Sequence, residues 1–247
     1  MSEKQAWYLG CRAEQIADRV ILLGDPARVA RFARYLSNIE HIPVNRGLST
    51  VTGDHDGRRV TLAAFGMGAP IATIVLHELV NLGARAFLRI GTAIGLAPVQ
   101  MGELAIANEA LAYDGTSSAY AISDRPPQAD ATLVDAVTIA AKAQSAKFHT
   151  GRFASFDAFY RDMFALDPAI EARVAENFDN LRQHNVLAVD METAALLTAG
   201  QALGCQVTSL CASTVDDVTK EKLSAERHDA VEVALITIAL NALSAID

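Results

Sequence analysis

Arg89 lies in the middle of an apolar segment, residues 86–92 (AFLRIGT). The segment is typical of a buried strand that ends in a turn of small residues. A buried guanidinium keeps its proton and therefore requires an anion or a polar partner, but no acidic residue lies between Asn81 and Gln100. Gly91 and Thr92 add backbone N–H groups and a hydroxyl at a strand end, where open α/β sheets bind ligands. The segment therefore fits either a bound phosphate or a carboxylate that is distant in the sequence.

Arg28 raises the same question at the start of a predicted helix, directly after Gly24-Asp25-Pro26. Asp25 suits the N-cap, and Pro26 suits the first helical position. The helix dipole disfavours Arg28 in this first turn unless its side chain faces an anion, and Gly24 lets an anion approach the backbone there. Taken alone, the motif is more typical of an ordinary capped helix with a solvated arginine.

A second glycine-rich turn, residues 66–70 (GMGAP), invites comparison with a dinucleotide-binding loop. That motif requires a third glycine, whose place Ile71 takes, and an acidic residue about twenty positions later that binds a ribose. Arg85 and Arg89 occupy that region instead. We therefore reject a dinucleotide site and expect a tight strand–helix turn that can lie near another ligand.

Met191 and Glu192 follow a short apolar segment. A carboxylate just beyond a strand can accept paired hydrogen bonds from two sugar hydroxyls, and a methionine offers an adaptable apolar surface to the ring. Glu192 is also a favourable charge for the first turn of the helix that follows. The residues themselves therefore fit a sugar site and an ordinary helix start equally well.

Asp216 and Asp217 follow the last apolar segment that predicts a strand. An acid at the carboxyl end of a strand can protonate a leaving group if its pKa is raised. Ser224 suits an N-cap, which places Arg227 in a first helical turn, where a cation is favourable only if it faces Asp217 or a ligand. Taken alone, a solvated acidic loop is the somewhat stronger interpretation.

The composition narrows the classes of function. Of the 247 residues, 51% are hydrophobic, and the net charge is −8. General binding to nucleic acids or anionic membranes uses clustered positive charge, so we expect neither partner, although a local basic pocket stays compatible with these numbers. No nucleophile elbow accompanies a histidine and an acid, which argues against acyl transfer.

Cysteine and histidine usage predicts neither a disulfide framework nor a metal site. The cysteines are odd in number, and neither they nor the six histidines have the spacing of metal ligands. We therefore expect no metal and no cofactor. Free cysteines, together with an N-terminal segment that lacks the apolar region of a signal peptide, predict a reducing, cytoplasmic location.

Predicted strands and helices alternate along the chain. We predict strands over 20–23, 47–54, 58–65, 86–92, 103–112, 147–152, 186–189 and 206–214, with a hairpin turn at 56–57. We predict helices over 26–36, from 66–70 to about 82, and over 131–146, 168–182, 193–203 and 224–245. The uncharged segment 193–215 is long enough to span a membrane, but its polar residues and Gly204 favour a helix, a stop and a buried strand. The alternation predicts one α/β domain over 1–247, with a mostly parallel or mixed sheet covered on both faces.

Taken in order, these segments resemble the hexameric bacterial nucleoside phosphorylases, the family of purine nucleoside and uridine phosphorylases. The resemblance extends from Tyr8 to the final helix and rests on the motifs at 24–28, 89–92 and 191–192. It implies a single-domain α/β/α sandwich with a central mixed β-sheet, assembled as a dimer or as a hexamer (a trimer of dimers). It also implies phosphorolysis, in which inorganic phosphate cleaves the N-glycosidic bond of a nucleoside to give a pentose 1-phosphate and a free base.

The resemblance assigns a role to individual residues. The phosphate ligands are Gly24, Arg28, Arg89 and Thr92, together with Arg46 from a neighbouring subunit. The ribose is bound by Met191 and Glu192, with Tyr8 nearby. The base stacks on Phe159, and Asp217, assisted by Arg227, protonates a purine at N7. These types suit the chemistry, because a phosphate dianion held by arginines can both attack and stabilise an oxocarbenium-like sugar.

Several positions depart from the family pattern. Tyr8 stands where the family usually has a histidine that reaches the sugar 5′-hydroxyl across the dimer interface, so tolerance of 5′-modified substrates is expected. Asp216 replaces the serine of the Ser-Asp pair in the purine branch, and Asp190 replaces the glutamate that usually precedes Met-Glu. Phe156 interrupts the usual Ser-Ala-Asp run.

The base preference rests on two positions. The Gln-x-Arg pair that reads uracil in uridine phosphorylases is not found after Tyr160, where Arg161-Asp162-Met163 stands instead. That difference, together with Asp217, favours purine nucleosides. A uridine phosphorylase, a related nucleoside hydrolase and a non-catalytic nucleoside- or phosphate-binding protein are the alternatives, although a hydrolase would not need the phosphate arginines.

Overall fold

A mixed sheet of nine strands organises the computed structural model, which describes residues 4–246. The strands are β1 (Arg19–Leu23), β2 (Ser37–Asn45), β3 (Leu48–His55), β4 (Arg58–Ala64), β5 (Ala86–Gly95), β6 (Leu104–Tyr113), β7 (Phe148–Phe156), β8 (Val186–Asp190) and β9 (Gln206–Asp216). The helices are α1 (Pro26–Ala33), α2 (Ala69–Leu82), α3 (Ser117–Tyr120), α4 (Ala131–Ala143), α5 (Glu171–Gln183), α6 (Thr193–Leu203) and α7 (Ala225–Ala245). The predicted α/β class with a central mixed sheet is confirmed, and the assignment of 1–247 to one domain stays a prediction.

Strand β5 pairs with three other strands, β1, β8 and β9. The strand order is β2-β3-β4-β1-β5-β8-β7-β6-β9, and β5 pairs with β9 as well. β5 runs parallel to β1 and to β9, and its end runs antiparallel to β8. Because β6 also pairs with β9, the strands β5, β8, β7, β6 and β9 close into a ring. This closure gathers the ends of strands that are far apart in the sequence.

The register brings two loops to the buried arginine of β5. Leu23 pairs with Ile90 in parallel, so the chain leaves β1 next to the residue that follows Arg89. Val189 pairs with Ile94 in antiparallel register, so the chain that leaves β8 runs back along β5 towards Arg89. The motifs that the sequence singled out after β1, within β5 and after β8 therefore meet at one place.

Helices cover both faces of the sheet. Apolar residues of α1, α4 and α7 pack with the strands into one cluster, and those of α2 and α6 pack into another on the opposite face. Helix α5 contributes to a smaller cluster at the ends of β7 and β8. Burial of apolar surface at about 25 cal/mol per Å² makes these contacts the main stabilising contribution.

The uncharged segment 193–215 forms a helix and a strand, as predicted. Helix α6 ends at Gly204, whose φ of 67° is left-handed and suits glycine, and β9 follows. Among the described helices, α7 meets the length and composition of a membrane span. A core helix meets the same test, and the buried residues of α7 pack against the sheet. We therefore assign α7 to the core.

The structure differs from the sequence prediction at several elements, among them β2, β7 and α1. The prediction lacked β2, which lies at the sheet edge with most residues exposed and so has little apolar periodicity. The strand predicted over 147–152 continues to Phe156, where its buried half lies. Helix α1 ends at Ala33 rather than near 36.

Candidate functional site

A cavity of about 540 Å³ opens where β1, β5, β8 and β9 end, within the size range of small-molecule sites. Seven of the residues singled out from the sequence line it: Gly24, Arg28, Arg89, Thr92, Phe159, Met191 and Glu192. Gly66 and Met67, from the turn that we kept as a candidate ligand neighbour, also line it. The cavity therefore joins the predicted phosphate, sugar and base residues along one wall.

Arg89 is 4% exposed and faces two buried carboxylates. Its Nη1 lies 3.1 Å from Oδ2 of Asp190, and its Nη2 donates to Oε2 of Glu192. Burial by itself lowers the pKa of Arg89, but the nearby negative charges outweigh burial and raise it. Nε has no hydrogen-bond partner among the described residues. The interpretation in which Arg89 pairs with a carboxylate distant in the sequence is therefore observed, and the phosphate interpretation stays a prediction that the position of Arg89 in the cavity wall allows.

Gly91 allows the guanidinium of Arg89 to lie close to its own strand. A Cβ atom at Gly91 would lie 3.0 Å from Nη1 of Arg89, which is closer than nearly all observed Cβ contacts. Any larger side chain would therefore push the guanidinium away from Asp190. This close approach is the physical reason for a glycine directly after Ile90.

Asp190 holds Arg89 within a buried hydrogen-bond network. The carboxylate accepts hydrogen bonds from the hydroxyls of Ser155 and Thr193, at 2.6 and 2.5 Å. The Thr193 oxygen lies 2.8 Å from the hydroxyl of Ser209, which donates to it because the single Thr193 hydrogen goes to Asp190. Sequence reasoning noted Asp190 only as a departure from the family pattern. The signal that would have identified it is a single acid at the end of an apolar strand, which requires a buried cation.

Glu192 bridges the arginine and the glycine-rich turn. Its Oε1 accepts a hydrogen bond from the backbone N–H of Gly68 at 2.8 Å. Gly68 adopts a φ of 95°, which is strained for other residues, so the turn orients its N–H at low conformational cost. The carboxylate is thus held where β8 ends, in the wall of the cavity. There it could give up its hydrogen bond to Arg89 and accept hydrogen bonds from ligand hydroxyls.

Arg28 is buried at the N-terminal end of α1 and faces an anion, as its position required. The anion is Glu232 of α7, whose Oε1 accepts from Nε of Arg28 at 2.7 Å. No role was predicted for Glu232. Its signal was an acid between Val231 and Val233 in an apolar helix, which is the same kind of mismatch that identified Arg89.

The far end of the cavity is apolar and aromatic. Phe159 starts a π-helical turn, Phe159–Met163, and stacks on Phe164 with the ring centroids 5.7 Å apart. Side chains of Ile94, Met163 and Val215 complete this wall. A planar ring would find apolar contact here, which is compatible with the predicted base-stacking role of Phe159.

Tyr8 and Arg46 lie together, outside the residues that line the cavity. The guanidinium of Arg46 lies 5.1 Å from the centroid of the Tyr8 ring, and Asn45 donates to the Tyr8 carbonyl at 2.8 Å. Arg46 has a φ of 52° in the turn between β2 and β3. Both residues were expected to act on a neighbouring subunit, and this chain keeps them away from its own cavity.

The structure does not bring Asp217 and Arg227 together, contrary to the expected pair. Asp217 forms an ion pair with Arg182 of α5, whereas Arg227 donates to the carbonyl of Met101 at 2.6 Å. Neither residue lines the cavity. Asp217 directly follows β9, two residues after Val215, which still lines the cavity, so it is the pairing with Arg182 that turns the Asp217 side chain away.

His228, Asp229 and Glu232 are the one cluster in residues 4–246 whose side chains could hold a metal ion. Glu232 already accepts hydrogen bonds from Arg28 and Arg31. Two guanidinium groups at the same carboxylate repel a further cation, so the electrostatics disfavour a metal there.

Two buried thiols give a test of the packing. Burial raises the pKa of Cys11 and of Cys211 to about 12 from the model-compound value of 9.0. A pKa that is raised in the folded state contributes stability below the unfolded pKa, and this contribution is lost as the pH rises towards the folded value. We expect the free energy of unfolding to fall by about 1.4 kcal/mol per pH unit for each thiol between about pH 9 and 12.

Urea denaturation at about pH 8.5 and about pH 10.5 measures this loss. The Cys11→Ala variant, which lacks one of the two thiols, should lose less stability over the same interval than the unchanged chain. Equal losses in the two proteins would show that Cys11 does not titrate as its burial requires.

Comparison with known proteins identifies the family of this chain. Residues 18–246 match the Phosphorylase superfamily. The chain is 30% identical to a uridine phosphorylase of Thermococcus kodakarensis, over 94% of this chain and 85% of the relative. It is also 30% identical to a guanosine phosphorylase of Halorubrum lacusprofundi, over 92% of each chain. A crystal structure of uridine phosphorylase from Vibrio fischeri ES114 superimposes with a TM-score of 0.85 at 27% identity, and covers 98% of this chain and 97% of that one. The chain therefore belongs to the phosphorylase superfamily.

Proposed function

We propose that this protein cleaves the N-glycosidic bond of a nucleoside with inorganic phosphate, giving a pentose 1-phosphate and a free base. The observation that carries the proposal is that Arg28 and Arg89 line the same cavity as Met191, Glu192 and Phe159. Phosphate, sugar and base would bind in that order along its wall. Inorganic phosphate is the only co-substrate that the reaction requires.

Phosphate would act as nucleophile at the anomeric carbon. Arg28 and Arg89 would neutralise and orient the dianion, with Thr92 and the backbone at Gly24 donating further hydrogen bonds. As the base leaves, the sugar becomes oxocarbenium-like, and the phosphate stabilises this charge before it forms the new C–O bond. The electron pair of the broken bond goes to the base, which is then protonated.

Glu192 would bind the sugar hydroxyls, and Met191 would pack against the ring. Glu192 pairs with Arg89 in the structure. Binding would exchange this contact, since phosphate would take the guanidinium and the sugar hydroxyls would take the carboxylate. Each new contact would replace a charge-assisted hydrogen bond by another, so little polar surface would be left unpaired.

We propose that the working form is a homo-oligomer, a dimer or a trimer of dimers. Arg46 would reach the phosphate, and Tyr8 the sugar, of a neighbouring subunit. The contact between Arg46 and the Tyr8 ring, away from the cavity of their own chain, supports this assignment. The three free thiols support a reducing, cytoplasmic location.

For the base we propose a purine, with uridine as the second candidate. Asp217 and the missing Gln-x-Arg pair support a purine, and the guanosine phosphorylase of Halorubrum lacusprofundi is one relative of that kind. The uridine phosphorylase of Thermococcus kodakarensis, at the same 30% identity, supports uridine. To act as the acid, Asp217 would have to leave Arg182 and turn towards the cavity.

A phosphate-dependence assay tests the function directly. We expect inosine, adenosine or guanosine to be cleaved faster than uridine, with a pentose 1-phosphate formed only when inorganic phosphate is present. Cleavage that is independent of phosphate would identify a hydrolase instead. Binding of nucleoside and phosphate without turnover over this panel would identify a binding protein.

Replacement Asp217→Asn tests the proposed acid. Because general acid catalysis contributes about 10²–10⁴-fold, we expect purine cleavage to slow by at least about 10²-fold, with uridine cleavage much less affected. Asp179→Asn is the matched control, because Asp179 also pairs with Arg182, at 2.6 Å. If the two variants lose the same activity, Asp217 only anchors Arg182 and the acid assignment is wrong.

A further inference from the structure

Glu232 is a buried acid that does not line the cavity. It lies on α7 with 6% of its surface exposed, and apolar residues of the same helix pack into the core. A buried carboxylate is costly unless a cation compensates it, so its contacts need a reason. Its contacts lead to the proposed phosphate site.

Both oxygens of Glu232 face helix α1. Oε1 accepts from Nε of Arg28 at 2.7 Å, and Oε2 lies 3.0 Å from Nη2 of Arg31. His228 Nδ1 lies 3.7 Å from Oε1, one helical turn away. Arg28 is buried, whereas the side chain of Arg31 is 49% exposed and also lies 3.7 Å from Asp25. Arg31 therefore has another partner, and the buried contact is the one with Arg28.

We propose that Glu232 is a positioning residue that presets Arg28 for phosphate. This inference rests on the phosphate site of the proposed function. Glu232 binds Nε, which leaves the two terminal nitrogens of the guanidinium to form a planar fork towards an oxyanion. A long side chain that is held at Nε loses its conformational freedom before phosphate arrives, so binding does not have to supply that ordering.

The contact between Glu232 and Arg28 has an electrostatic cost. A carboxylate behind Arg28 offsets part of the positive charge that attracts phosphate. Arg31 compensates this carboxylate at 3.0 Å, and the other acid at this helix end, Asp25, is half exposed, so solvent screens its charge. Glu232 thus acts on the direction of Arg28 more than on the local charge, and this distinction can be measured.

Two substitutions separate direction from charge. Glu232→Leu removes the acceptor, so Arg28 is no longer held, and we expect the Kd for inorganic phosphate to rise by about tenfold or more. Glu232→Gln keeps an acceptor of the same shape for Nε while Arg31 turns to Asp25, so we expect a Kd within about threefold of the unchanged protein. Calorimetric titration with inorganic phosphate alone measures both values without any turnover.

A coupled variant and a matched control complete the test. In an Arg28→Ala background, adding Glu232→Leu should change the phosphate Kd by less than about twofold, because the residue it positions is gone. Glu109→Gln weakens a partly exposed ion pair, Glu109 with Arg152 at 2.8 Å, away from the cavity. We expect no change in the phosphate Kd for that control. The KM for the nucleoside should stay within about twofold in Glu232→Leu.

Several results would overturn the proposal. The first is an unchanged phosphate Kd in Glu232→Leu, and the second is a rise in Kd in Glu232→Gln as large as that in Glu232→Leu. The third is a further rise of about tenfold when Glu232→Leu is added to Arg28→Ala. A lack of phosphate binding by the unchanged protein would overturn both this inference and the proposed function. If phosphate binds with the expected pattern but no nucleoside is cleaved, the proposed function fails and the role of Glu232 stands.

Discussion

Replacing Arg89 by alanine is expected to lower kcat/KM for nucleoside phosphorolysis by roughly 10²–10³-fold, the loss typical when one preorganised donor to a developing charge is removed. Arg89 is the buried cation of the cavity with contacts to both Asp190 and Glu192. Without it, the phosphate loses a bidentate partner, and the two carboxylates repel the incoming dianion. The KM for phosphate should therefore rise together with the fall in kcat, as steady-state kinetics over a range of phosphate concentrations will measure.

The same substitution should also destabilise the protein. Removing one partner of a buried ion pair typically costs about 3–5 kcal/mol, because it leaves an uncompensated charge. Arg152→Ala is a suitable control, since Arg152 pairs with Glu109 away from the cavity and its loss should not affect phosphate dependence. If Arg89→Ala folds and retains the phosphate KM and the turnover of the unchanged protein, the phosphate role of Arg89 is wrong.

Replacing Glu192 by glutamine should affect the two substrates in opposite directions. The sugar loses charge-assisted hydrogen bonds to a carboxylate, so we expect kcat/KM for the nucleoside to fall by roughly 10²-fold. Phosphate without nucleoside should bind more tightly, by a few-fold to about tenfold, because Arg89 no longer has Glu192 as a competing partner. Nucleoside kinetics and calorimetric titration with phosphate measure the two effects separately.

Glu192→Asp is the matched control for reach. It keeps the charge but withdraws the carboxylate by one methylene, so sugar binding should weaken while phosphate affinity changes little. If Glu192→Gln instead weakened phosphate and left the nucleoside KM unchanged, Glu192 would be a structural support of Arg89 and the sugar-binding role would be excluded.

Under the proposed function, each variant tests the binding of one ligand. Variants of Arg89 and Arg28 test phosphate binding, variants of Glu192 test sugar binding, and Asp217→Asn tests protonation of the base. The ion pair between Arg89 and Glu192 links the first two groups. A double variant of Arg89 and Glu192 should therefore depart from the sum of the single effects, as contacting residues usually do.

Much of the site was predictable from the sequence, because its residues break local patterns. Arg89 interrupts an apolar strand and Arg28 opposes a helix dipole, whereas Glu192 follows a strand end, where a carboxylate also suits an ordinary helix start. Each mismatch is visible within a few residues. The strand and helix order was likewise predictable, since apolar periodicity and turn residues act locally. The edge strand β2 was not predicted, because its residues are mostly exposed and show little apolar periodicity.

The partners of those residues were not predictable from local sequence. Arg89 is joined to Glu192 across 103 residues, and Arg28 to Glu232 across 204. Such contacts depend on strand order, on the register between β5 and β8, and on the packing of α7 against α1. Many pairings satisfy a single buried charge equally well, so the sequence identifies the need for a partner and not the partner itself.

Asp217 and Arg227 show the same limit, because the sequence predicted a pair that the structure does not form. The sequence predicted Asp217 just after a strand, where it could act as an acid. It also predicted Arg227 in a first helical turn, where a cation is favourable only if it faces an anion. Asp217 follows the end of β9 and pairs with Arg182 of α5, and Arg227 turns to the carbonyl of Met101. By itself, the sequence determined which charges need partners and the order of the elements that carry them. Only the tertiary structure decided which charges meet, because sheet closure sets distances that no local pattern encodes.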